Sequence, residues 1–445
     1  MKTFTITTLG CRVNQSESES MAAALQADGW TDAAGHGAAD LCIINTCTVT
    51  SRGARQSRQA IRRARRENPD AVVIVTGCHA TVNAEEIEAM GVADFIVKNR
   101  EKFTVCEIAG SLCEGSSEAM NRATDVTGVG SDWPAGCFTA LRSSTARTRP
   151  VLKIQDGCNS YCTYCIVPFA RGASVSMPVA DVVKTVQAMS EAGRREVVFS
   201  GIHLGMYGAD LSPRVSLLDL LREVYRQRII QRVRLSSIEP HELGDDLIRF
   251  TSDTGWVCDH FHLPLQSGSD RILNLMNRPY TASFYAKRVY EIRKFLPHAA
   301  IGMDILVGFP GEGKREFGET LSLVRDLPVS YLHVFPFSPR RGTRAFKMEP
   351  KVPDSEIRER CALLREIGAN KRHVFGMANH GRKLSVVVEE SRDRATGLLK
   401  GMASNYLSVL LDGPDDLKGL LVDAIADGQH DGLRICGRVV GQNAV

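Results

Sequence analysis

The sequence predicts an α/β protein in three parts: an N-terminal parallel α/β domain, a central partial (β/α)6 barrel and a small C-terminal β-barrel. Three observations lead there. Apolar runs alternate with helical stretches through roughly the first hundred residues. Six further apolar runs, again separated by helical patterns, extend from Val151 to about Pro339. Beyond Gly381, short strand-like runs follow one another between glycines and aspartates. The expected boundaries are 1–102 for the first domain, 103–148 for a connector, 149–378 for the central barrel with the helix after it, and 379–445 for the small barrel.

In the first part, residues 3–9, 40–46, 71–76 and 94–97 read as strands, and 15–27, 52–66 and 84–90 as helices. That β-α-β-α-β-α-β order predicts a parallel sheet covered on both faces, with ligands bound beyond the carboxyl ends of the strands. A cysteine stands at that end of three strands: Cys11, Cys47 and Cys78. Far apart in sequence, they converge on one sheet edge, a geometry suited to an iron–sulfur cluster with three protein ligands. Gly10 and Gly77 would permit close backbone approach. Cys42, inside its strand, reads as a buried residue.

The segment 51–66 holds seven arginines and no acid. At 3.6 residues per turn Arg52, Arg55, Arg62 and Arg66 fall near one helix face, which suits phosphate contact; a merely solvated face is the alternative. Between 102 and 148 the periodicity weakens, and Cys106, Cys113 and Cys137 have no cluster spacing. Arg142, Arg147 and Arg149 lead basic charge toward the next motif.

The central strands are expected at 151–154, 197–200, 233–236, 261–265, 301–309 and 331–337. After the first stands Gly157-Cys158-Asn159-Ser160-Tyr161-Cys162-Thr163-Tyr164-Cys165, a C-x₃-C-x₂-C run. Three thiolates this close can hold three irons of a four-iron cluster and leave the fourth open for reaction. A structural zinc site, the other reading, prefers two ligand pairs and four ligands in total. Glycine and polar residues recur after later strands, where α/β barrels carry their chemistry. Residues 354–377 form a helical stretch, and 384–388, 397–401, 406–410, 419–424 and 432–440 the terminal strands.

Composition fits this picture. The chain has 445 residues, 43% hydrophobic and 24% charged, with a net charge of +4. That balance neither demands nor forbids a nucleic-acid partner. The 13 cysteines are odd in number and scattered, no signal-peptide pattern precedes them, and no apolar run spans a bilayer. The chain reads as cytoplasmic, with reduced or metal-bound thiols and no membrane partner.

Four passages resemble the methylthiotransferase family of radical S-adenosylmethionine enzymes: Leu9-Gly10-Cys11-Arg12-Val13-Asn14-Gln15 with Glu17 and Ser18; Asn45-Thr46-Cys47-Thr48-Val49-Thr50 before the arginine helix; Thr76-Gly77-Cys78; and the Cys158 run. The first two are similar to the branch acting on N6-threonylcarbamoyladenosine in tRNA. Ser16 departs from that branch, which often has tyrosine there. The resemblance implies a radical S-adenosylmethionine barrel, a TRAM-like terminal barrel, two [4Fe-4S] clusters and S-adenosyl-L-methionine. It implies cluster ligands Cys11, Cys47, Cys78, Cys158, Cys162 and Cys165, and S-adenosylmethionine contacts Gly201, Ser237, Glu239, Gln266 and Asp304. His203 reads as a pocket-lining histidine. Lys383, Lys400 and Asn405 are the implied RNA contacts of the terminal barrel, where the acidic stretch 412–416 interrupts the basic surface.

The implied activity is insertion of a methylthio group at C2 of N6-threonylcarbamoyladenosine at position 37, beside the anticodon. The cluster at Cys158 generates a 5′-deoxyadenosyl radical, and the second cluster holds the transferred sulfur. The partners are the tRNA anticodon stem-loop, an external electron donor and an unnamed sulfur donor. The alternatives are the same chemistry on N6-isopentenyladenosine tRNA or a ribosomal protein and, from another class, an RNA-binding iron–sulfur redox or regulatory protein.

Overall fold

The computed structural model of the chain describes residues 2–33, 39–114, 147–429 and 434–442. Cys137, Arg142 and most of the expected connector lie outside them. Its beginning, Thr104–Glu114, is a helix.

Strands β1 (Thr3–Thr8), β2 (Thr31–Asp32), β3 (Leu41–Thr46), β4 (Val72–Gly77) and β5 (Phe95–Val97) form one sheet in the order β2-β1-β3-β4-β5. Every pair in it is parallel. Side-chain alternation splits β3 between two cores. Leu41 and Ile43 pack with Met21 and Leu25 of the helix Arg12–Ala27. Cys42 and Ile44 pack with Ile61 of the helix Ser51–Glu67. The sheet is therefore covered on both faces, and Cys42 is the buried residue its position predicts. The edge strand β2 is too short for periodicity to reveal.

The central part contains β6 (Val151–Lys153), β7 (Gln155–Asp156), β8 (Val175–Ser176), β9 (Glu196–Ser200), β10 (Arg232–Leu235), β11 (His260–Gln266), β12 (Ala300–Val307) and β13 (Tyr331–Pro336). The six expected strands form two parallel triplets, β10-β9-β6 and β11-β12-β13. The bridge Val233–Val257 and the bond from Ile238 N to His262 O (3.0 Å) join them. One continuous apolar core, from Leu152 through Phe199 and Val233 to Leu263 and Met303, runs behind both triplets. The result is a partial barrel. The antiparallel pair β7-β8 was not legible beforehand.

After the helix Asp354–Met377, β14 (Lys383–Arg392), β15 (Leu399–Ala403), β16 (Ser408–Asp412), β17 (Leu421–Gln429) and β18 (Arg434–Gln442) close into a barrel, order β14-β15-β16-β18-β17. This module is clamped to the central part by two arginines of β10. Arg232 donates to the carbonyls of Ser385 (2.9 Å) and Met402 (3.1 Å), and Arg234 to those of Ala403 and Ser404 (both 2.9 Å). Glu196, fully buried on neighbouring β9, accepts from Arg232 Nε (2.8 Å) and Arg234 Nε (2.7 Å). Against burial, which alone would raise it, these guanidiniums hold the Glu196 carboxyl down at about 2. Among the described residues, no helix is long and apolar enough to cross a membrane.

Candidate functional site

The first cysteine triad forms where β1, β3 and β4 end. Gly10 takes φ +95°, and a Cβ there would stand 2.7 Å from Cys47 Cβ and 2.8 Å from its Sγ. Gly77 takes φ +100°, and its Cβ would meet Thr46 O at 2.4 Å. The two glycines thus bring Cys11 and Cys78 against Cys47, closer than any side chain would allow. Burial pushes the Cys47 thiol up to about 11, with the neighbouring Cys78 and Cys11 adding to the rise. Asn99 reaches Cys78 Sγ at 3.5 Å. Cys11 is exposed, while Cys47 and Cys78 are buried. One corner of the triad is therefore open.

The second triad lies in the loop after β7. His203 Nδ1 meets Cys158 Sγ at 3.4 Å, and Arg278 donates to Cys162 Sγ at 3.3 Å. Against burial, which raises it, the imidazole holds the Cys158 thiol below its usual value. Burial pushes Cys165 up to about 12, with Cys162 and Cys158 adding to it. His203 is anchored through its backbone N to Gln155 Oε1 (2.7 Å) and through Nε2 to Glu242 (2.8 Å). Against burial, which lowers it, Cys158 and Glu242 raise His203 to about 10. The histidine packs against the loop that carries Cys158.

Both triads fit a polynuclear iron–sulfur centre. Each offers three thiols at one place in the fold, and bound iron would hold them as thiolates. Among the described residues, the only three ligand atoms of His, Cys, Asp or Glu lying within 4.8 Å of one another are those of His262, Asp304 and His333. Neither triad is drawn together to the span of a single ion.

Gly201, Ser237, Glu239 and Gln266 all stand at or just beyond the carboxyl ends of β9, β10 and β11. Gln266 takes φ +68° at a register shift that re-aims its side chain. Glu239 is ion-paired with Arg278, which also touches Cys162. Asp304 sits apart from that rim, three residues before the end of β12, with Oδ1 held by His262 (2.7 Å) and His333 (3.2 Å).

Sequence reasoning missed the charges that lock the two triad-bearing domains together. Glu17 of the helix after Cys11 is 5% exposed and pairs with Lys153 (2.9 Å), Arg171 (3.0 Å) and Lys102. Arg171 also binds Asp156 (2.8 Å) and Asn14 Oδ1 (2.5 Å). Asn14 in turn donates to Leu9 O (2.7 Å) and Thr46 O (3.0 Å), which ties the ends of β1 and β3 together. The Asn14–Glu17 signature is thus structural. A lysine inside the apolar run Val151-Leu152-Lys153-Ile154 was the one available signal. Arg12, next to Cys11, donates to the Tyr406 hydroxyl (2.8 Å). Tyr406, at φ +66° between β15 and β16, stacks on His260 with centroids 4.1 Å apart. A terminal-barrel loop therefore forms one wall of the central lumen, beside the first triad.

The nucleic-acid candidates divide. The arginine helix starts at Thr50, whose side chain caps Gly53, itself packed on Cys47. Arg52, Arg55, Arg62 and Arg66 are exposed along it, Arg66 within 3.7 Å of Glu67, and the less exposed Arg58 and Arg65 pair with Glu86 (3.2 Å) and Asp94 (2.5 Å). In the terminal barrel, Lys400 is half-buried, and exposed Lys383 pairs with Asp423 (2.7 Å). The expectation for Asn405 is corrected: it is 2% exposed and bonds Asn379 (2.9 Å), so it braces the barrel against the preceding helix instead of facing RNA.

Residues 3–98 match the family described as "Uncharacterized protein family UPF0004", and residues 152–324 match the Radical SAM superfamily. The chain is 36% identical over 429 residues to the threonylcarbamoyladenosine tRNA methylthiotransferase MtaB of Bacillus subtilis, covering 95% of this chain and 93% of that one. It is 32% identical over 433 residues to the tRNA-2-methylthio-N(6)-dimethylallyladenosine synthase of Clostridium tetani, with 95% and 93% covered. Among solved structures it resembles the radical S-adenosylmethionine methyltransferase TsrM from Kitasatospora setae, at a TM-score of 0.55 and 15% identity, covering 78% of this chain and 77% of that one. At that identity the likeness concerns the fold.

Proposed function

The chain belongs to the MtaB-like family of radical S-adenosylmethionine methylthiotransferases, and from that membership we propose that it inserts a methylthio group at C2 of N6-threonylcarbamoyladenosine at position 37 of tRNA. Methylthiolation of tRNA is common to the relatives on both branches. The choice of the threonylcarbamoyl branch follows the relatives of higher identity, in Bacillus subtilis and Aquifex aeolicus, each at 36%.

The observation that carries the reading is two separate cysteine triads in domains locked together through Glu17 and Arg171. Cys158, Cys162 and Cys165 would hold one [4Fe-4S] cluster, and Cys11, Cys47 and Cys78 the other. When bound, the clusters and S-adenosylmethionine supply reductive cleavage, hydrogen abstraction and a held methylthio group. The chain's own residues do the positioning. Arg278 fixes the Cys162 thiol and the Glu239 carboxylate together, at the rim where S-adenosylmethionine is expected. Gln155 and Glu242 hold the His203 ring against Cys158. The Glu17 network keeps the two triads at a fixed separation, so one base can meet both. The target C–H has no useful acidity, so no general base is required of the protein. An unpaired anticodon-loop base can be splayed into such a site.

The test uses protein reconstituted anaerobically, which should carry about eight irons. Replacing Cys11, Cys47 and Cys78 with alanine should leave reductive cleavage of S-adenosylmethionine intact and abolish the 2-methylthio nucleoside. Methylthio product from that variant would refute the sulfur-holding role. Product on isopentenyladenosine tRNA alone would move the enzyme to the sister branch.

A further inference from the structure

The lumen of the central barrel holds a chain of polar rings that no step above uses. The period of two along β11, β12 and β13 turns His260, His262, Asp304, Tyr331 and His333 to one side. His260 Nε2 meets the Tyr331 hydroxyl at 2.8 Å, and that hydroxyl lies 3.5 Å from His262 Nδ1. His262 Nε2 and His333 Nδ1 both address Asp304 Oδ1, at 2.7 and 3.2 Å. Gly302 makes room for this: a Cβ there would stand 2.1 Å from the Tyr331 ring.

The chain has a closed end and an open end. His260 is 3% exposed, while the side chains of His262, Asp304 and His333 are 13%, 20% and 43% exposed. The closed end is sealed by Tyr406, which Arg12 ties to the first triad. Toward the second triad, the Tyr280 hydroxyl accepts from Arg278 Nε (2.9 Å), the arginine on Cys162, and donates to Pro264 O (2.7 Å) on β11. The ring chain is thus linked to the first triad through Tyr406 and Arg12 and to the second through Tyr280 and Arg278, so it lines the lumen between the residues that touch them, where the reacting base is proposed to sit.

Such a network selects between N6 substituents. An isopentenyl group has no hydrogen-bonding atom, so it would strip water from Asp304 and His333 and return nothing. A threonylcarbamoyl group brings a hydroxyl that donates and a carboxylate that accepts. Asp304 is kept ionised: against burial, which raises it, His262 and His333 hold its carboxyl at about 2.

Resting on the proposed function, the geometry points to His262, Asp304 and His333 as the specificity site for the threonylcarbamoyl group, with Asp304 accepting from its hydroxyl and His333 donating to its carboxylate. His333 is the discriminating residue, because its side chain, at 43% exposed, is the most open of the three.

The test compares the reconstituted enzyme with His333→Phe and His333→Gln on tRNA carrying N6-threonylcarbamoyladenosine or N6-isopentenyladenosine. His333→Phe should lower kcat/KM on the threonylcarbamoyl substrate by about tenfold or more. It should raise the isopentenyl-to-threonylcarbamoyl product ratio and release 5′-deoxyadenosine without product. His333→Gln, which keeps a donor, should recover part of the loss. Equal iron content and S-adenosylmethionine cleavage without tRNA show that the variants are folded. A ratio unchanged in His333→Phe, with wild type active on the threonylcarbamoyl substrate, overturns this assignment alone. Wild-type activity on isopentenyl tRNA alone overturns both this assignment and the function it rests on. A non-cluster Zn²⁺, Mn²⁺ or Fe²⁺ ion that elemental analysis finds in wild type and not in His333→Phe would make the three groups a metal site instead, and overturns it too.

Discussion

Gly10 carries more of the first triad than its lack of a side chain suggests. Its left-handed φ and the 2.7–2.8 Å approach to Cys47 leave no room for a methyl group. Gly10→Ala should displace Cys47 and lower bound iron from about eight to about four per chain. Cleavage of S-adenosylmethionine should continue through Cys158, Cys162 and Cys165; iron analysis with a 5′-deoxyadenosine assay checks both. The placement of the six cysteines, three at neighbouring strand ends and three in one loop, was legible in the sequence, because strand ends and spacing carry that signal. Arg171, Arg278 and Tyr406 were not: each acts across more than a hundred residues of chain, as with Arg278 on Cys162 and Tyr406 on Arg12. The repeat His260-Phe261-His262 could have been read, since alternation along one strand turns both rings to the same side. Ser16 gains a reason for its departure from the family pattern. It is fully buried and donates to Val151 O (2.8 Å), across the contact between the two domains.

The apolar runs that became β1, β3, β4 and the barrel strands were readable because each is continuous and bounded by polar residues. The two-residue strands β2, β7 and β8 were not, because they arise from pairing alone. The adjoining strands β9 and β10 do a second job through Glu196, Arg232 and Arg234. Removing the buried carboxylate would leave two guanidiniums without their counter-charge. Glu196→Gln should cost about 3–5 kcal/mol, read by urea denaturation of the apoprotein at neutral pH. The carboxyl sits at about 2 in the folded chain and near 4.5 unfolded. Its contribution is therefore complete above the unfolded value and is lost as pH falls from there toward 2. The stability gap between wild type and Glu196→Gln should accordingly narrow across that acid range.

Over the whole molecule, charge is local. A net +4 predicts little, but the helix Ser51–Glu67, whose start abuts Cys47, carries exposed arginines along its length. Replacing Arg52, Arg55 and Arg62 with glutamine should weaken tRNA binding and flatten its salt dependence. The log–log slope should fall by about two to three if each arginine contacts a phosphate, as a filter-binding titration from low to high salt would show. An unchanged slope would return the helix to a solvated face.

Tyr406 gives the molecule a direction in time. Synthesis runs from the N-terminus, so Cys11, Arg12, His260 and Tyr331 all leave the ribosome before the loop that stacks on them. While the chain is being made, the chamber lacks one wall, and both cysteine triads are already present. The loop that closes the chamber is thus translated after every cysteine of the two triads, and the wall it supplies is added to parts already made.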